Sequence, residues 1–153
     1  MDEIDKLKDI FDGLCKSAVT IFHSQEEVMP FVFIFPGVGQ TIPVIPINEN
    51  KEAVSRLVQD TCRRVGAFAG AIVSEGWSVM LGKEAFWDGT PPSKHLDRVE
   101  ILQVSLYSKS VNIMKAWKIA RNGKTKSLED YYGEDSPDRV ESRFFGDYFK
   151  VNG

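Results

Sequence analysis

The sequence predicts a single α+β domain over residues 1–153. Its core would be a mainly antiparallel or mixed sheet of about five to six strands, with two to three helices mostly on one face. Three observations lead there. Two stretches place apolar residues at three- and four-residue spacings. The element order is helix, hairpin, helix, then a run of strands, with no alternating βαβ pattern. Asn122-Gly123 joins two strand-like runs and is the strongest short hairpin signal in the chain.

The first helix is predicted over residues 3–22, EIDKLKDIFDGLCKSAVTIF. Ile4, Leu7, Ile10, Phe11, Leu14, Ala18, Val19 and Phe22 form one apolar stripe, and Asp5, Lys8, Asp9 and Lys16 face outward. Phe31–Phe35 and Thr41–Ile47 then read as two strands joined through Pro36-Gly37-Val38-Gly39-Gln40. Pro43 and Pro46 cannot donate to a ladder, so the second strand belongs at a sheet edge. A second helix is expected over residues 50–65, capped by Asn48 or Asn50 and ended by Gly66. Strands are expected at 67–80, at 98–107, at 111–120 and around 125–131. Between the first two of these lies a long loop or lid, residues 82–98. Residues 133–153 read as a C-terminal helix and tail, with Ser136-Pro137-Asp138 as the helix start and Gly146 as its stop.

Composition narrows the function. The chain has 42% hydrophobic and 27% charged residues and a net charge of −3, so it is neither disordered overall nor a strongly basic nucleic-acid binder. FVFIF and AFAGAIV, its longest apolar runs, fall far short of the roughly 20 residues of a membrane span. MDEIDKLKD carries no apolar signal core, which predicts a cytoplasmic protein. Cys15 and Cys62 fall on helix faces as small core residues suited to a reducing compartment. Two histidines and two helix-borne cysteines show no zinc spacing, so neither a metal site nor a cofactor is expected.

The candidate site lies where the 67–80 strand emerges from its apolar run. Alternation puts Glu75 and Trp77 on one face with Ala69, Ala71 and Val73. Beyond the loop, Arg98 and Glu100 share a face with Leu102 and Val104. An antiparallel register that sets Glu75 opposite Glu100 also sets Trp77 opposite Arg98, and a one-residue slip would destroy it. Two readings follow. In one, Arg98 pairs with Glu75 or Glu100 under the indole of Trp77. In the other, close carboxylates join His95 and Asp97 in acid–base or metal-assisted chemistry. Phe86 and Trp87 on the loop are large apolar groups without an evident core position, and aromatic residues commonly anchor interfaces.

AIVSEGWSV followed by PPSKHLDRVEILQV resembles a two-strand core found in short bacterial and phage proteins. There, a strand ending SE-x-W is followed by a variable loop and P-S-x-x-x-D-R-x-E. The matching residues are Ser74, Glu75, Trp77, Pro92, Ser93, Asp97, Arg98 and Glu100. The resemblance covers residues 67–107 and implies that the two segments belong together. It brings no activity with it.

The leading expectation is a small binding or accessory protein acting through the 82–98 loop and the Glu75, Trp77, Arg98 and Glu100 patch. Its partner would be another protein or a second copy of the chain, with no membrane involved. The second is a hydrolase or metal-assisted enzyme using Glu75, His95, Asp97 and Glu100. The third is single-strand nucleic-acid binding by the basic 115–126 hairpin, in which Trp117 would stack on bases. Its positive charge is split between the two faces of the hairpin, so nucleic acid is the less expected partner.

Overall fold

A computed structural model describes residues 2–25, 27–37, 40–47, 50–78, 99–136 and 144–149. Helix α1 (Glu3–Ser24) starts at Asp2, whose side chain accepts the Asp5 N–H at 2.8 Å. Strands β1 (Phe31–Gly37) and β2 (Gln40–Pro46) form a hairpin. Helix α2 (Lys51–Val65) is capped by Asn50, which accepts the Ala53 N–H at 3.2 Å, and ends at Gly66 with φ 63°. Strands β3 (Ala69–Ser78), β4 (Val99–Tyr107), β5 (Asn112–Asn122) and β6 (Thr125–Ser136) follow.

The six strands form one open sheet in the order β2-β1-β3-β4-β5-β6, and every neighbouring pair is antiparallel. This is the predicted α+β domain. The proline-bearing β2 takes an edge, as the missing donors require. Between β4 and β5, the buried Ser108 hydroxyl donates to the Val111 carbonyl at 2.6 Å and accepts its N–H at 3.0 Å.

The helices do not gather on one face. Leu7, Phe11, Leu14, Ala18 and Phe22 of α1 pack with Phe35, Ala71, Val73, Leu102, Val104 and Trp117. Val54, Val58 and Cys62 of α2 pack with Val32 and Ile34, the opposite face of β1. The cause is legible in β1 itself. Phe31, Phe33 and Phe35 alternate with Val32 and Ile34, so the strand is apolar on both sides and needs cover on both.

Two boundaries also move. β6 runs to Ser136, past the strand end expected near Tyr131, and residues 137–143, where the predicted helix begins, lie outside the described residues. Residues 144–149 are turns on either side of Gly146, which forms an isolated β-bridge. Phe144, Phe145 and Phe149 are buried against the α2 face, and the Tyr148 hydroxyl donates to the Ala67 carbonyl at 3.2 Å. The β5–β6 hairpin forms as expected, but its two-residue loop is Gly123-Lys124. Asn122 pairs with Thr125, and Gly123 alone takes positive φ, 64°.

Candidate functional site

β3 pairs with β4 from Gly70↔Tyr107 to Ser78↔Val99. Trp77 lies opposite Glu100 and Glu75 opposite Leu102, two residues away from the expected register. A slip of two preserves the faces, so Glu75 and Glu100 still share one side as diagonal neighbours. That side is the α1 face, and β5 contributes Lys115, Trp117, Ile119 and Arg121 to it through the Leu102↔Trp117 pairing.

The partner of Glu100 is therefore on β5. Arg121 donates to Glu100 through Nε to both carboxylate oxygens, at 3.2 and 3.1 Å, and through Nη2 to Oε1 at 2.6 Å. This fork holds two planar groups in a fixed relation, which a single lysine contact would not do. The hydrogen bond to Glu100, then its charge and those of Glu75 and Glu27, raise the Arg121 pKa above its ordinary value, against a lowering by burial. The expected Arg98 pair is replaced by this one at Glu100, and Arg98 itself lies outside the described residues. Glu75 has a different task. Its Oε1 accepts the Val28 N–H at 3.1 Å, fastening the segment between α1 and β1 to the outer end of β3.

These groups line an open cleft of about 700 Å³ together with His23, Glu27, Lys124 and Lys126. The apolar stripe of α1 ends at Phe22, and the ammonium of Lys126 sits 4.2 Å from the centre of that ring. The same ammonium donates to the Gln25 carbonyl. The tip of the β5–β6 hairpin thus forms one wall, the end of α1 a second, and the outer ends of β3 and β4 the floor.

Of the predicted site residues, Glu75 and Glu100 come together. Trp77 is placed by its main chain opposite Glu100, and its side chain lies outside the described residues. His95, Asp97, Arg98, Phe86 and Trp87 all lie outside them too. Both oxygens of Glu100 are occupied by Arg121, which leaves the acid–base reading without one of its free carboxylates. Among the described residues, no group of three His, Cys, Asp or Glu side chains could hold a metal ion. Trp117 is 7% exposed and packs against α1, so it offers no ring for stacking nucleic-acid bases. Among these residues, too, no helix is long and apolar enough to cross a membrane.

Arg121, Lys126, His23 and Glu27 were not part of the predicted Glu75 and Glu100 patch, although Arg121 and Lys126 belong to the basic hairpin of the third reading. Arg121 could have been found by alternation alone. The short β4–β5 turn puts Glu100 and Arg121 on one face near the same end of a hairpin. No family model matches the chain, and neither does any curated protein or solved structure.

Proposed function

We propose that this chain is a small cytoplasmic binding or accessory protein. Its contact surface is the Glu75, Glu100 and Arg121 cleft together with the 82–98 loop, with Trp77 and Arg98 at the two roots of that loop. One observation carries the reading: charged groups of both signs converge in a cleft at the end of the sheet from which the loop must leave and return. Ser78 and Val99 are paired, so the connection between them begins and ends beside Glu100. Loops held by a rigid scaffold are where binding groups concentrate. Phe86 and Trp87 are the apolar anchors of this reading, and the Arg121–Glu100 fork supplies its fixed polar geometry. Free thiols at Cys15 and Cys62 fit a reducing compartment.

The test is parallel capture from cell extract on the immobilised wild-type chain and two variants, Phe86→Ala/Trp87→Ala and Arg121→Ala. A Leu57→Ser variant serves as control, because Leu57 is an exposed residue of the other helix. The reading expects a species retained by the wild type and the control and lost from both site variants. Equal capture by all four chains would sink it.

A further inference from the structure

The two ends of the sheet differ in a way that has consequences for assembly. β2, at one end, is 7 residues long and carries Pro43 and Pro46, which interrupt the donors it could offer a new strand. β6, at the other, is 12 residues long and contains no proline. Among the described residues no strand pairs with its outer side. An edge strand of that length presents a row of main-chain N–H and C=O groups to another chain.

We propose that β6 pairs antiparallel with β6 of a second copy about a twofold axis through Leu128, extending one sheet through both molecules. This register sets opposite charges on both sides of a central apolar contact. Lys126, Leu128 and Asp130 lie on the α1 face, opposite Arg121, Ile119 and Trp117 of β5. Centring the pair on Leu128 sets Lys126 against Asp130 of the second copy, and by symmetry Asp130 against its Lys126. The Leu128 side chains meet between them. Ser127 then faces Glu129 and Thr125 faces Tyr131. Centring on Lys126, Glu129 or Asp130 instead sets like charges directly opposite, which disfavours pairing.

Asp130 is available for this contact. Its side chain is 91% exposed, and its ion pair within the molecule is a loose 3.8 Å approach to Lys115. Lys126 is already oriented by Phe22 and the Gln25 carbonyl, so the incoming carboxylate meets a positioned ammonium. The β-bulge at Tyr131, where β5 passes from Ala116 to Trp117, bends β6 at the end of the paired segment and limits how far the new ladder can run. Because the axis is perpendicular to the sheet, the two Arg121 clefts open on the same side of the assembly, with Lys126 on the wall of each.

Sedimentation equilibrium over a concentration series reads the association. The wild type is expected to dimerise reversibly. Asp130→Lys opposes two lysines at each of two symmetric positions, and should weaken association at least about tenfold with thermal unfolding unchanged. Lys126→Asp should do the same by opposing two aspartates. An equimolar mixture of the two folded variants restores both attractive pairs and should associate where neither does alone. A wild type that stays monomeric throughout overturns the proposal. So does an Asp130→Lys chain that dimerises as tightly as the wild type, or a mixture that remains monomeric.

Discussion

The two faces of the sheet are closed by different means. On one, the 22-residue α1 lays a single contiguous stripe from Leu7 to Phe22 across the strands. On the other, the 15-residue α2 supplies Val54, Val58 and Cys62, and the closure is completed from the far end of the chain by Phe144, Phe145 and Phe149. Both faces join segments far apart in sequence, since α1 packs on β4 and β5. The second is covered in two pieces, α2 and residues 144–149, so it carries one further loop-closure cost before its contacts form. That face therefore leans on a few large anchors. Phe145, 1% exposed, touches Phe149 and Tyr107 ring to ring, at 5.4 and 5.3 Å between centroids.

The largest expected effect breaks the second face. Phe145→Ala should cost about 3–5 kcal/mol in urea unfolding, the usual loss for a buried phenylalanine. It should also expose the chain near 144–149 to proteolysis while leaving α1 protected. If α1 is cleaved at the same rate as that segment, the two faces are not separately closed.

Each face holds one thiol, and alkaline pH compares them. Burial, the largest cause at both, pushes Cys15 and Cys62 up from 9.0 to about 11. Below pH 9 folded and unfolded chains both keep the protons. Between about 9 and about 11 the unfolded chain gives them up and the folded one does not, so stability falls as pH rises through that window. For the fully buried Cys62 the full loss is about 2–3 kcal/mol, and Cys62→Ala should flatten this part of the pH profile. Cys15 is only partly buried, beside an open groove between α1 and β5. In native protein, iodoacetamide should label Cys15 first and Cys62 only at the rate of global unfolding. Equal labelling would show that the α2 face opens on its own.

A smaller change tests the fit of the anchor. A Cβ on Gly70 would lie 2.4 Å from the Phe145 ring, far inside van der Waals contact. Gly70→Ala should destabilise by about 1–3 kcal/mol through overpacking. In the Phe145→Ala background the same substitution should cost almost nothing, because the ring it strikes has gone. Additive costs in the double variant would show that Gly70 matters for another reason.

The same contrast explains what the sequence disclosed. α1, α2, the β5–β6 hairpin and the edge position of β2 were legible because each is written in one short segment, as a stripe, a cap, a turn or a proline. Placement on opposite faces was legible in principle from the doubly apolar β1, but only to a reader asking what covers Val32 and Ile34. The burial of Phe144, Phe145 and Phe149 was not, since three aromatics in a polar tail say nothing about where they dock. At the site, alternation put Glu75 and Glu100 on the same face, as observed. Their register was misjudged by two residues because the long 82–98 connection leaves it free, and alternation cannot distinguish a slip of two.

The smallest expected effect lies where the α1 face runs out of apolar cover. Beyond Phe22 the sheet surface passes to Glu75, Glu100 and Arg121, and cohesion there is ionic. The Arg121 side chain is 45% exposed and that of Glu100 24%, so solvent screens the fork and its contribution should be about 0.5–1 kcal/mol despite its bidentate geometry. Arg121→Ala should therefore lower stability by no more than that, and the difference should shrink as salt is raised. A double-mutant cycle with Glu100→Gln isolates the pair. A cost comparable to that of Phe145→Ala would make Arg121 a structural anchor of the α1 face. A small, salt-sensitive cost would mean that its exchange leaves the fold intact, so any binding lost in Arg121→Ala comes from the cleft itself.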